Sequence, residues 1–399
     1  MQHQIQEQNN IEYSRKREMA EVYASLALKN FGLALLTIFE VLYIFEFFDN
    51  NIASTLLFYA ITFFGYALVA PFGAKFISRV GIKHAILIAN PFFVAYFFFL
   101  FSLPDHAWMI FLAGAVVIVY RAIFWTAFHI DVCRFTSEKK RGRQINIMQI
   151  IPLLANAVGP LIGGLLISNF GFSFLFIVVM FLLVGSALPL FFSKEIHDHY
   201  DFNWRQSYKY LFQKKHWKRI LAFSADGIDA KTISVIWPIF LFLAVDSYVE
   251  VGAITSGVFV ILVLFSLYIG RVSDSSKRST LLKIGSVLHS LGYIARAFVQ
   301  TGWQVFSVDA FDRAAKRMVY LPFTTLLYDN AQKRGNQADE YIVAYEIAHN
   351  IFGSIFLLAM VYVSFVTDVF MVAFFVTAAT SLLYNFMPKA GFFTFLKKD

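Results

Sequence analysis

Cysteine occurs once in the 399 residues, at Cys133. No intrachain disulfide and no thiolate metal cluster can therefore form. Charge is scarce as well: Asp, Glu, Lys and Arg make up 15% of the chain, against about a quarter in an average soluble domain. No Gly-x-x-x-x-Gly-Lys-Ser/Thr stretch is present, which excludes a built-in nucleotide-driven pump. No Ser/His/Asp set or His-rich box appears, so the chain is not expected to be an enzyme. His197-Asp198-His199 is the nearest thing to a metal-ligand cluster. It lacks a suitably spaced third and fourth ligand and reads as a polar loop; no metal and no cofactor are expected. Residues 1 to about 18 are Gln/Asn-rich and have no apolar core of the kind a cleavable signal peptide requires.

What remains is apolar. The chain is 58% hydrophobic and 18% aromatic, with 48 Phe, and its mean hydropathy is +0.62. Apolar runs lie at 23–46, 53–72, 84–103, 106–129, 144–168 and 171–192, then at 219–245, 250–270, 280–299, 303–328, 341–366 and 368–388. Each is close to the 20 residues that cross about 30 Å of hydrocarbon. Backbone groups cannot stay unpaired in lipid, so each run is expected to be a helix.

The joints between runs alternate in charge. Those near 47–52, 104–105, 169–170, 246–249, 300–302 and 367–368 hold no Lys or Arg. The others hold Lys75, Arg79 and Lys83, then the stretches Arg134–Arg143, Lys194–Arg219, Arg271–Lys283 and Lys333–Arg334. By the positive-inside rule these basic loops and both termini are cytoplasmic. The net charge of +8 is thus topological, and nucleic acid is not an expected partner. The expected domains are an N-terminal tail (1–22), a six-helix bundle (23–192), a linker (193–218), a second bundle (219–388) and a C-terminal tail (389–399). In the linker, Trp204, Tyr208 and Leu211 recur at helical spacing among Arg205, Lys209, Lys214 and Lys215, a pattern that predicts an amphipathic helix on the inner membrane surface.

Two of the basic joints repeat one another. Ala74–Lys83 joins runs two and three of the first half, with Ser78, Arg79, Gly81 and Lys83; Gly270–Arg278 joins the matching runs of the second half, with Gly270, Asp274, Lys277 and Arg278. A motif repeated at the same place in each half marks a duplicated membrane protein. Each copy resembles the Gly-x-x-x-Asp-Arg-x-Gly-Arg-Arg loop of the major facilitator superfamily. Resemblance to that family implies two pseudo-symmetric six-helix bundles facing each other across a central cavity. The first copy departs from the motif at Ala74 and Ser78, the second at Ser275 and Lys277. The resemblance gives these residues a gating role: Asp274 is expected to meet Arg141 or Arg143, and Arg79 and Lys83 to meet Asp339, Glu340 or Glu346. Gly159-Pro160-Leu-Ile-Gly163-Gly164 resembles the end of a motif in the family's proton-driven exporters, although Ala155 and Asn146 stand where its earlier glycines would be. It tilts the expectation modestly toward export.

Charges inside a bilayer are costly and therefore mark function by default. Glu40 lies in run one; Arg121, with Trp125 and His129 at i+4 and i+8, in run four; Asp226, Asp229 and Lys231 in run seven; and Asp309, Asp312, Arg313 and Lys316 in run ten. The family resemblance implies that these four runs line the cavity. Asp309 with Arg313, and Asp312 with Lys316, are spaced to pair along one helix. Asp226 and Asp229 are either proton carriers or partners of Lys231, Arg313 or Arg219. Arg121 requires Glu40, Asp226, Asp312 or an anionic substrate. Glu346 and His349 in run eleven either relay protons or pack helices together. Trp237-Pro238 is expected to bend run seven.

Together these features give the expectation of an all-α polytopic protein of about twelve transmembrane helices in a bacterial inner membrane, functional as a monomer. It would carry a polar or charged small molecule by alternating access, coupled to protons. A lipid, lysolipid or hydrophobic-drug mover and a non-transporting sensor or scaffold are the alternatives.

Overall fold

The computed structural model describes residues 27–136, 141–188, 204–211, 213–273 and 278–387, and among these no strand occurs. The first half contains α1 (Ala27–Leu36, bent by 40° into Phe39–Phe47), α2 (Ile52–Val80), α3 (Ile82–Phe101) and α4 (Met109–Phe135). The stretch Arg141–Ala187 follows, broken at Gly171 (φ 79°) into α5 before and α6 after. A linker helix, α7 (Trp204–Leu211), precedes the second half. There α8 runs Trp217–Lys231, passes through a π-turn at Thr232–Ile236 and continues as Trp237–Val245. Then come α9 (Tyr248–Ser273), α10 (Arg278–Arg296), α11 (Gly302–Gln332), α12 (Ala338–Val363) and α13 (Val369–Ser381). Because the linker helix takes a label, hydrophobic run seven becomes α8.

Eight of these helices are long and apolar enough to cross a membrane, or nine if bent α1 is one span. Met148–Ala187 counts once in that number despite its break at Gly171. α10 and α11 fall outside it because buried charges lower their hydropathy. Counting them, and taking α5 and α6 apart, recovers the all-α polytopic fold of about twelve spans.

The joints on the face away from the basic loops are tight and capped. Asn51 accepts from Ser54 N–H at the start of α2, Asp368 accepts from Phe370 and Met371 N–H at α13, and Thr301 and Gln304 form a capping box at α11. Asp246 ends α8 in the left-handed conformation (φ 50°).

Two corrections concern the repeated joints. The first is not a loop: α2 carries Ser78 and Arg79 in its last turn, and Gly81 alone (φ 90°) links it to α3, whose first turn holds Lys83. That φ suits glycine and strains other residues. In the second, Gly270 sits inside α9, which continues to Ser273. The apolar pattern stops earlier than the helix because a helix carries polar side chains freely once it leaves the lipid. Asp274 and Lys277 lie outside the described residues, so the expected Asp274 contact does too.

α7 forms where amphipathic spacing places it; Trp204 stays exposed, while the rest of its apolar face meets protein. Leu211 is buried, and the Tyr208 hydroxyl donates to the carbonyls of Ala67 and Leu68 on α2 at 2.9 and 3.1 Å. α7 also packs on α12, so the linker touches both halves.

The halves meet along two seams, α2 on α12 and α5 on α9. At the second, glycines allow near-backbone contact. A Cβ on Gly164 would strike the carbonyl of Tyr248, and one on Gly252 the carbonyl of Pro160. Gly159 and Gly163 do the same against Ala34 and Leu35 of α1. The exporter-like glycine stretch is therefore a packing surface in this fold.

Candidate functional site

The polar interior begins in the second half. Asp226 and Asp229 lie one turn apart on α8, both buried. Lys316 of α11 reaches between them, donating to Asp229 Oδ2 at 2.5 Å and Asp226 Oδ1 at 3.2 Å. Tyrosines complete the shells: Tyr293 and Tyr345 donate to Asp229 and Asp226 at 2.6 and 2.8 Å, and Tyr384 donates to Asp226 at 2.8 Å. His349 Nδ1 lies 3.1 Å from Asp226 Oδ2.

A second knot sits behind this one. His289 of α10 has Nε2 3.0 Å from Asp229 and Nδ1 2.7 Å from Asp312. A ring that donates through both nitrogens is the imidazolium form. Arg296, fully buried, contacts Asp309 at 2.5 Å and Asp312 at 2.9 Å and lies over the Trp237 ring at 4.0 Å. Arg313 contacts Asp309 at 2.9 Å. The four aspartates are thus matched by Lys316, Arg296, Arg313 and, when doubly donating, His289. Gly292 makes room for this: a Cβ there would press into Asp312.

This arrangement differs from the one that helical spacing suggests. Asp309 does pair with Arg313, but Asp312 turns to α10 and Lys316 to α8. The cation for Asp226 and Asp229 is Lys316 rather than Lys231, Arg313 or Arg219. Lys231, about 200° around α8 from Asp229, points the other way. Spacing along one helix cannot see partners on a neighbouring helix.

The first half is sparser. Tyr96 donates to Glu40. Arg121 donates to Thr62 at 3.2 Å and lies over the Phe63 ring at 4.2 Å; it has no ion pair with Glu40, Asp226 or Asp312. Lys231 crosses from the other half to the same Phe63 ring, 3.9 Å from its centre, and donates to Asn350 at 3.0 Å. Trp125 stacks on His129 at 6.0 Å. His129 meets Tyr328 at 2.7 Å and Glu346 at 3.2 Å. Tyr66 of α2 donates to Glu346 at 2.7 Å. Glu346, about two turns into α12, thus engages α2 and α4 of the opposite half.

Sequence reasoning missed His289, Tyr293 and Arg296. The signal was present, since a His and an Arg seven residues apart in run nine are charges in a span like any other. It also missed the tyrosines, whose hydroxyls give no hydropathy signal.

A helical bundle with charges inside α1, α4, α8 and α11 and seams α2–α12 and α5–α9 has a known family. The profile described as Major Facilitator Superfamily matches residues 22–225, and the chain belongs to that family, one of membrane carriers rather than enzymes. A Bacillus subtilis protein named as the uncharacterized MFS-type transporter YuxJ is 27% identical over 140 residues, 35% of this chain and 35% of its own length. The uncharacterized B. subtilis protein YqgE is 23% identical over 250 residues, 60% of this chain and 57% of its own. The chain thus spans about a third to under three-fifths of these relatives. Among solved structures, the E. coli fucose:proton symporter FucP superposes with TM-score 0.68 at 13% identity, covering 93% of this chain and 98% of that one. The human organic anion transporter MFSD10 (TETRAN) gives TM-score 0.67 at 12% identity, covering 93% and 99%. At such identities these likenesses establish the fold.

Proposed function

We propose that this chain is a proton-coupled secondary transporter that moves a polar or charged small molecule by alternating access, with export favoured over uptake. The observation that carries the reading is the buried, titratable cluster of Asp226, Asp229 and Lys316, which continues through His349 and Tyr345 to α12 and, by way of Glu346, reaches Tyr66 and His129 of the opposite half. Paired carboxylates buried in a bilayer cost too much to serve packing alone. A proton arriving at Asp226 or Asp229 leaves Lys316 with the other carboxylate alone, and a changed ion pair at the centre shifts the balance between two packings of the halves. Glu40, held by Tyr96, is a second proton carrier. One proton crossing 100 mV supplies about 2.3 kcal/mol. The resemblance of Gly159–Gly164 to an exporter motif supports the direction. Both termini and the basic loops are assigned to the cytoplasmic side of a bacterial inner membrane on the positive-inside rule, and the duplicated chain is read as a functional monomer.

The test is proton movement in liposomes loaded with a pH-sensitive dye, on a panel of amino acids, organic acids, sugars and cationic drugs. Substrate-driven proton flux is expected in the wild type and lost in Asp226→Asn, Asp229→Asn or Glu40→Gln. Substrate counterflow with no proton flux would remove the coupling and leave a facilitator. Binding without flux would make the protein a sensor.

A further inference from the structure

Arg121 and Lys231 come from opposite halves, on α4 and α8, and converge on one ring, Phe63 of α2, at 4.2 and 3.9 Å. Neither has a carboxylate partner: Arg121 donates to the Thr62 hydroxyl and Lys231 to the Asn350 amide oxygen. The nearby carboxylates are engaged elsewhere, Glu40 by Tyr96 and Glu346 by Tyr66 and His129. Lys231 is only 3% exposed. The fold makes room for it, since a Cβ on Gly353 would press into its aliphatic stem. By contrast Lys316, Arg296 and Arg313 rest on aspartates, and Arg317 donates to the Ser266 hydroxyl away from this ring. Glu346 and Asp226 act on Lys231 only from beyond contact distance, and a buried cation whose direct contacts are a neutral amide and a ring face is under-compensated, because a cation–π contact is worth less than an ion pair when water is excluded. Two such cations beside one ring repel each other, and an anion placed between them would remove both costs at once.

We infer that this pair is the substrate's binding site and that the substrate is a small organic anion, its acid group held between Arg121 and Lys231 and its body against Phe63. The inference rests on the transport reading and names its cargo. It also gives binding a mechanical consequence. The two cations belong to different halves, so an anion bridging them draws the halves together at mid-depth. In the empty protein their repulsion favours separation. A cationic cargo finds the wrong sign here, and a neutral sugar leaves both charges uncompensated.

The experiment uses full-length purified protein, first in detergent and then in liposomes. The probes are benzoate, succinate and glucose 6-phosphate, set against choline, tetraphenylphosphonium and glucose. At least one anion is expected to raise the melting temperature, and Arg121→Gln and Lys231→Gln are each expected to weaken its binding about tenfold or more. Lys231→Arg is expected to keep most of it. Which anion binds separates carboxylate from phosphate chemistry. Without any probe, Lys231→Met is expected to melt above the wild type, because it removes a buried charge that lacks a partner. An anion that binds but does not cross liposomes leaves the site standing and overturns the transport reading. A cation or sugar that crosses, unaffected by Lys231→Gln, overturns the site and leaves transport standing. No stabilising probe, together with a Lys231→Met that melts below the wild type, also overturns the site.

Discussion

The two halves share a fold and differ in how they hold charge. In the second half, four buried aspartates meet Lys316, Arg296, Arg313 and His289 in one ladder across α8, α10 and α11. In the first half, Glu40 meets a tyrosine, and Arg121 meets a hydroxyl and a ring. The aspartates of the second half are neutralised within it, and its Lys231 turns away from them to the same Phe63 ring that Arg121 of the first half lies on. A duplicated protein does not need two copies of each function. The aspartate ladder can serve as a stiff wall in one half, while Arg121 and Lys231, one from each half, answer to the cargo.

Removing a partner from the ladder should do the most damage. Arg296→Met leaves Asp309 with Arg313 alone and Asp312 with His289 alone in a dry interior. A loss of about 3–5 kcal/mol is expected, read as a large drop in melting temperature in detergent. Arg121→Gln in the other half should cost under about 1 kcal/mol of stability, since it breaks only one neutral hydrogen bond and a ring contact. Equal losses from the two variants would end the comparison between the halves. Lys316→Ala comes next. It leaves Asp226 and Asp229 facing each other with tyrosines and histidines as their only partners, and about 2–4 kcal/mol should go. Lys316→Arg should restore most of the stability, while proton-linked flux stays impaired because the longer fork cannot reproduce the short contact to Asp229.

Where the ladder runs could be read from the sequence only in part. Helix number, order and the duplicated halves follow from apolar spacing and loop charge, because lipid leaves a chain no other way to satisfy its backbone. Asp309–Arg313 follows too, since both residues lie on one helix face. The rest depends on which helix stands beside which. His289 and Arg296 lie in run nine and find their aspartates on α8 and α11. No distance along the chain encodes those approaches. Lys231 shows the same limit from the other side: its sequence neighbours are Asp226 and Asp229, yet helical rotation turns it toward Phe63. Trp237-Pro238 marks an irregularity, and the structure places a π-turn just before it, at Thr232–Ile236. A proline that cannot donate leaves a carbonyl free, and a wider turn is one way to absorb that.

The seams allow a finer test of the same contrast. Gly164→Val should force α5 away from the Tyr248 backbone and loosen the α5–α9 seam, at a cost of about 1–3 kcal/mol. Its effect on flux should exceed its effect on melting, because it acts between the halves and leaves the ladder inside the second half intact. Cross-linking yield between cysteines placed on α5 and α9 would report the seam directly, and an unchanged yield would show that the glycine is not what brings these helices together.

The smallest effect is expected where the linker is pinned. Tyr208 donates to two carbonyls at the end of an α7 that touches both halves. Tyr208→Phe removes those bonds and keeps the ring, so about 0.5–1.5 kcal/mol should be lost. Burial pushes this hydroxyl up to about 12, above the ordinary value near 10 of an unfolded chain. A raised folded value means that the neutral, donating form is favoured by folding. Its contribution is therefore whole below about pH 10 and fades as pH climbs through about 12. The difference between wild type and Tyr208→Phe should consequently stay flat from pH 6 to pH 9. A gap that closes within that window would mean that something other than the hydroxyl holds α7 down.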